Sequence, residues 1–160
     1  MKIASLQLQI VEQPLKVAFD IAGGKSSSVK SVLVQMTDDQ GLSGYGEAVP
    51  MPAYSGQTIQ GVVEALDSYL FPALLAGDVH SIEQLHELMA QTIKEQPMAK
   101  AAIDLAYHDL VARRLGVPVY ELLGGRCRER VSLSWAIGLG EPEQLVQEAR
   151  EMVEHGFRTI

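Results

Sequence analysis

The chain has 160 residues, 47% of them hydrophobic and 21% charged, with a formal net charge of -7 and one cysteine. A chain of this length buries roughly 70% of its unfolded surface, so a real core is expected and the composition is not that of a disordered protein. The acidic balance argues against an electrostatic grip on nucleic acid or on anionic lipid, and Cys127 alone allows no intrachain disulfide.

Ile3, Leu6, Leu8 and Ile10 alternate with polar residues over much of the first stretch, which predicts a half-buried strand ended by Pro14. Val17 to Ile21 reads as a second short extended piece, and Gly23 to Ser28 as a flexible loop. Val29, Val32, Val34 and Met36 form the next strand, Asp38 to Gly41 supply turn residues, and Leu42 to Val49 return. The opening is therefore an antiparallel meander. Glycines at 44 and 46 weaken the third strand by propensity, so a bulge or a close backbone approach is expected around Tyr45.

Pro50 to Gln57 is a loop, and from Thr58 the pattern turns helical until Pro72 kinks or ends it. Ser81 to Gln84 has the form of a capping box opening a helix with Leu85, Leu88, Met89 and Ile93 on one side. The most strongly specified segment is Pro97 to Gly125. Ala99, Ala102, Ile103, Ala106 and Leu110 recur at helical spacing, Pro97 suits the first turn, Gly116 the residue past the end, and Pro118 forbids continuation. One short turn follows from Pro118 to Leu123, stopped by Gly124 and Gly125.

Beyond Arg130 the pattern changes. Val131 to Gly138 reads as a strand, Pro142 to His155 as a helix with Leu145, Val146, Ala149, Met152 and Val153 inward, and Phe157 to Ile160 as the start of another strand. A β-α-β crossover needs a parallel sheet, and a (β/α) barrel takes about 250 residues. The expectation is an α+β domain over 1-125, followed over 126-160 by the incomplete beginning of a barrel.

Tests for self-contained chemistry fail. Gly24-Lys25-Ser26 lacks the glycine of a phosphate loop at position 19, where Phe19 stands, and Gly44-x-Gly46 and Gly138-x-Gly140 lack the third glycine of a dinucleotide fingerprint. Ser55-Gly56 has Ala53 where a nucleophile elbow needs glycine. The four histidines show no metal-ligand spacing, and His108, one turn after Asp104, reads as half of a surface ion pair. Glu47, at the base of the proline loop, reads as a structural anchor accepting backbone N–H groups. Cys127 reads as an incidental loop cysteine between two arginines. Neither an acid/base pair nor a carboxylate trio for Mg²⁺ emerges. Met1 to Leu15 lacks the apolar core of a signal peptide, and no window approaches the roughly 20 apolar residues of a membrane span, so a cytoplasmic location is expected.

The stretches Gly46-Glu47-Ala48, Tyr54-Ser55-Gly56, Ala101 to Asp104, Tyr120 to Gly125 and Gly156 to Ile160 together resemble the enolase superfamily, in its muconate-cycloisomerase-like (mandelate racemase/muconate lactonizing enzyme) branch. The resemblance implies a capping domain, made of a three-stranded antiparallel meander and a helical bundle, joined to a modified TIM-like barrel. It implies that the full-length enzyme abstracts the proton α to a carboxylate with Mg²⁺, as a cycloisomerase, racemase, epimerase or dehydratase. Catalytic residues and metal ligands are then expected beyond Ile160, with none within these residues, so the 160 residues alone are expected to be inactive. Two cap loops, Ile21 to Ser26 and Met51 to Gly56, close over a small-molecule carboxylate and select it. Tyr54 and Met51 are the foremost candidates for substrate contact, followed by Gly23, Gly24 and Lys25, with Ala136 lining the site from the first barrel strand. Lys25 is either the partner of a distal carboxylate or a solvated loop lysine. A homo-oligomer is expected at full length. The competing reading is a non-catalytic capping module that acts only by pairing with a separate barrel-bearing chain.

Overall fold

The computed structural model describes residues 2–21 and 24–160, with backbone alone for 17–21 and 24–26. The chain divides into two compact units, one of Met1–Glu12 with Lys30–Gly125 and one of Gln13–Val29 with Arg126–Ile160. The first strand, β1, runs over Ile3–Ile21, β2 over Gly24–Asp38 and β3 over Ser43–Ala48, in the sheet order β1-β2-β3. β2 and β3 pair antiparallel without a break, from Val32 opposite Ala48 to Thr37 opposite Ser43. Val32, Val34 and Met36 are wholly buried at alternate positions on one face, as their period of two requires.

Two sequence expectations fail here. Pro14 does not end the first strand, because β1 lies at the sheet edge, where a residue with no N–H removes no ladder bond that must be made. Gly24 to Ser28 belong to β2 and are not a loop: pairing with the neighbouring strand outweighs the poor strand propensity of glycine and serine. Gly23 lies outside the described residues.

The proline loop contains one helical turn, α1 (Pro52–Ser55). Thr58 caps α2 (Ile59–Glu64) by accepting the Gly61 N–H at 3.1 Å. A π-helical turn, Ala65–Leu70, then leads into α3 (Phe71–Ala76). The cause is Pro72, which has no N–H to give and whose ring would strike the carbonyl four residues back in an α-helix. The wider turn absorbs the proline without stopping the rod. That rod, Ile59–Ala76, has a mean hydropathy of 1.2 over 18 residues and so meets a length-and-composition test for a membrane span that the sequence reading placed out of reach. Val62, Leu66, Leu70 and Leu74 are buried in the core, so its apolar stripe is already engaged.

Ser81 caps α4 (Ile82–Thr92), accepting from the Gln84 N–H at 3.2 Å. The longest helix, α5 (Pro97–Leu115), ends at Gly116 in the left-handed conformation. Its buried face holds Ala99, Ala102, Ile103, Ala106 and Leu110, and also Tyr107, which helical spacing alone did not single out. Alanines let α5 lie directly on β3. A Cβ on Gly46 would stand 2.0 Å from the Ala102 carbonyl oxygen, and one on Gly44 would stand 2.3 Å from that of Ala106. The expected glycine feature is thus a close backbone approach, with the register unbroken and no bulge. A short helix, α6 (Val119–Leu122), ends at Gly124 and Gly125, both at positive φ.

In the second unit, α7 spans Pro142–Glu154. The segments expected as strands on either side of it form no ladder among the described residues. They meet through one backbone bond, Trp135 N–H to the Thr159 carbonyl at 2.9 Å. Trp135 also packs edge-on against Phe157, with centroids 5.5 Å apart, and donates to Glu148 of α7 at 2.8 Å. Leu145, Ala149 and Met152 of α7 are half-buried, whereas Val146 and Val153 are exposed. Those two valines sit about 100° round the helix from the covered stripe, and a single packed segment covers only one stripe.

Candidate functional site

The proline loop presents the two foremost candidates on a braced turn. Pro52 stands at the first helical position, Met51 precedes it in extended conformation, and Gly56 closes the turn at φ 68. Ser55 Oγ accepts the N–H groups of Met51 at 3.2 Å and Gln57 at 3.3 Å and donates to the Met51 carbonyl at 3.0 Å. The N–H groups of Tyr54, Ser55 and Gly56 go to the carbonyls of Met51 and Pro52. With these N–H groups bonded inside the loop, the turn leaves the side chains of Met51 and Tyr54 outside, 45% and 65% exposed.

Glu47 is not the anchor of this loop. It is exposed on β3, opposite Leu33, and the loop's N–H groups are taken by Ser55, Met51 and Pro52 instead. The anchor is Gln57, whose Nε2 donates to Gln96 Oε1 at 2.7 Å and whose Oε1 accepts the Met98 N–H at 3.0 Å. Both partners lie at the start of α5. Glu95 and Gln96 just before it carry φ of 54 and 56, which costs an L-residue roughly 1–2 kcal/mol each. Sequence reasoning missed this clasp because its halves lie 39 and 41 positions apart, beyond any local periodicity. No local signal marks it: the residue before a proline is biased toward extended backbone, whereas Gln96 is left-handed.

Gly24 and Lys25 open β2 and Ala136 lies in the Arg126–Ile160 segment, all in the second unit, whereas Met51 and Tyr54 belong to the first. Met51 and Tyr54 share one turn.

Two further clusters sit on α5. Asp104 Oδ1 lies 2.6 Å from His86 Nε2, while His108 donates through Nδ1 to the Asp104 carbonyl at 2.9 Å. The expected pair of Asp104 and His108 is present, with His108 Nδ1 3.3 Å from Asp104 Oδ1 beside the backbone bond, and the same carboxylate oxygen also meets a histidine from α4. Asp109 accepts the Tyr45 N–H at 2.9 Å and binds Arg113 Nε through both oxygens, and the Arg113 guanidinium lies 5.7 Å from the Tyr45 ring centroid. This seals part of the β3 edge beside a shallow groove of about 500 Å³ that includes Leu33, Leu105 and Val119. Among the described residues, no three His, Cys, Asp or Glu side chains are placed to hold a metal ion.

A meander, a helical rod, a long helix laid on β3 by two glycines, and an exposed braced loop can be compared with known proteins. The family model for the mandelate racemase / muconate lactonizing enzyme, N-terminal domain, matches residues 5–124. The chain belongs to this family. Its relatives in the mandelate racemase / muconate lactonizing enzyme group include the N-succinyl-L-Arg/Lys racemase of Bacillus cereus, 35% identical over 100% of this chain and 43% of the racemase. The crystal structure of that racemase superposes with a TM-score of 0.94 over 99% of this chain and 43% of its own. The hydrophobic dipeptide epimerase of Enterococcus faecalis is 34% identical over 100% of this chain and 45% of the epimerase. A crystal structure of dipeptide epimerase from that species, complexed with Mg and L-Leu-L-Tyr, has a TM-score of 0.90 over 98% of this chain and 44% of its own. Muconate cycloisomerase 1 of Rhodococcus opacus is 33% identical over 96% of this chain and 42% of that enzyme. The chain spans less than half the length of each, the N-terminal part, and these relatives are racemases, epimerases and cycloisomerases.

Proposed function

We propose that this chain is the substrate-selecting cap of a Mg²⁺-dependent enzyme that abstracts the proton α to a carboxylate, in the racemase, epimerase and cycloisomerase group of the enolase superfamily. The observation that carries the reading is the family match over residues 5–124, with the braced, outward-facing turn of Met51 and Tyr54 inside it. In this reading the turn covers a carboxylate substrate held in a barrel, excludes water and discriminates by side chain. Gly24 and Lys25 at the start of β2 and Ala136 are assigned to the same substrate. Mg²⁺ accompanies the dipeptide in the epimerase structure, and here its ligands are assigned to a barrel outside these residues. Within this chain, Met51 and Tyr54 offer apolar and aromatic surface, which suits the variable side chain of a substrate better than its carboxylate. An N-acylated amino acid or a dipeptide is the favoured substrate class, because the racemase and epimerase relatives are named for such compounds. A homo-oligomer is proposed for the full-length enzyme.

The test is to incubate the barrel-bearing protein with Mg²⁺ in deuterated water and a panel of N-succinyl amino acids, dipeptides and muconate, following α-deuteration and chirality. Deuterium entering the α-position of an acylated amino acid or dipeptide supports the proposal. A panel left unchanged, with the metal bound, contradicts it.

A further inference from the structure

We infer that Gln57 is a positioning residue that holds the Met51–Gly56 turn in its substrate-facing pose by capping α5 from outside the helix. This rests on the proposed role of that turn. The start of α5 lacks the usual local cap: Gln96, at the capping position, is left-handed and gives no side-chain cap, and Pro97 has no N–H. The first turn of any helix has N–H groups that need an outside acceptor. Here Gln57 Oε1 takes the Met98 N–H at 3.0 Å, from 41 positions upstream. Its Nε2 donates to Gln96 Oε1 at 2.7 Å, so the side chain that would have capped the helix locally is turned back toward the loop.

One amide therefore serves two elements. Gln57 N–H is held by Ser55 Oγ at 3.3 Å, the same oxygen that accepts from Met51. A displacement of the Gln57 side chain is transmitted through Ser55 to the residue beside Pro52. Glu95 and Gln96, both at positive φ, are the segment that would relax once the clasp opens, and Lys100 Nζ braces the same link through the Ile93 carbonyl at 2.7 Å. The backbone of the loop has no other side-chain tie to α5 among the described residues. Positioning and helix capping are separable by chemistry: Gln96→Ala removes the bond from Gln57 Nε2 and leaves Gln57 Oε1 to accept the Met98 N–H, whereas Gln57→Leu removes both.

The experiment compares amide exchange in the wild-type chain, Gln57→Leu and Gln96→Ala, residue by residue. Gln57→Leu is expected to speed exchange of Tyr54, Ser55, Gly56 and Met98 at least about tenfold while Val34 and Met36 in the sheet stay unchanged. Gln96→Ala is expected to keep Met98 slow while the loop amides speed up. In the barrel-bearing enzyme, Gln57→Leu should raise KM about tenfold with kcat within about twofold. Unchanged loop exchange, or equal acceleration in loop and sheet, overturns the inference, as does an equal fall in kcat. Should Met51→Ala and Tyr54→Ala leave KM untouched while the clasp still governs exchange, the substrate role of the loop fails and the clasp itself stands.

Discussion

Arg114 Nη1 donates to Asp38 Oδ2 at 2.9 Å and so ties the last turn of α5 to the β2–β3 turn, 76 positions earlier in the chain. The Asp38 side chain is 1% exposed, and its other oxygen accepts the N–H groups of Gln40 and Leu42, both at 2.9 Å. Burial by itself raises the carboxyl pKa, but the bonds from Leu42, Gln40 and Arg114 outweigh it and hold the group below the ordinary aspartate value. A depressed folded pKa gives stability that is present above the unfolded value, near 3.9, and lost as pH falls through the lower folded value. Asp38→Asn keeps the turn acceptor and loses the charge. It is expected to cost about 1–2 kcal/mol at pH 7, and the gap to wild type should shrink below about pH 4. Urea unfolding at pH 7 and pH 3 checks both.

Gly46→Ala is the sharpest test of how α5 sits on the sheet. The added Cβ would meet the Ala102 carbonyl oxygen at 2.0 Å, and that atom is backbone, so no side chain can swing away. Destabilisation of about 3 kcal/mol or more is expected. Gly41→Ala would meet nothing within 4 Å but carries φ +83, so a milder loss from backbone strain alone is expected there. Thermal unfolding of the two variants separates steric exclusion from strain.

Glu95 at φ 54 is strained without being a glycine. Glu95→Gly is expected to raise stability by roughly 0.5–1 kcal/mol and Glu95→Val to lower it by about 1–2 kcal/mol. Chemical denaturation midpoints of the two variants decide the point.

Met51→Ala and Tyr54→Ala remove exposed side chains from a turn whose N–H groups are bonded within the loop, so fold stability should change by less than about 0.5 kcal/mol. In the barrel-bearing enzyme each is expected to raise KM about 3- to 30-fold, with the larger effect on substrates with apolar side chains. Steady-state kinetics across a dipeptide series measures this.

The parts of the fold that the chain announces locally were legible. Helix α5, its proline start and its glycine end follow from apolar spacing and cap residues alone, and the glycines of β3 correctly point to a close approach. What escaped reading depends on neighbours. Pro14 is harmless only because β1 is an edge strand, and Gly24 to Ser28 are extended only because another strand pairs with them. The same holds at the candidate site. Met51 and Tyr54 stand on the turn that the proline loop and the family resemblance indicate, but its anchor is Gln57, reaching Gln96 and Met98, where local position had pointed to Glu47. Asp109 meeting Tyr45 across 64 positions and His86 meeting Asp104 across 18 are contacts of the same kind, made by packing and invisible to any short window.

We propose that this chain selects substrate while the bond-breaking groups lie in another part of the enzyme. The most direct measurement is α-deuterium incorporation into N-succinyl amino acids and dipeptides by the isolated 160-residue chain, folded and supplied with Mg²⁺ in deuterated water. Incorporation at the buffer rate is predicted; incorporation above it, abolished by substitution within these 160 residues, would contradict the account.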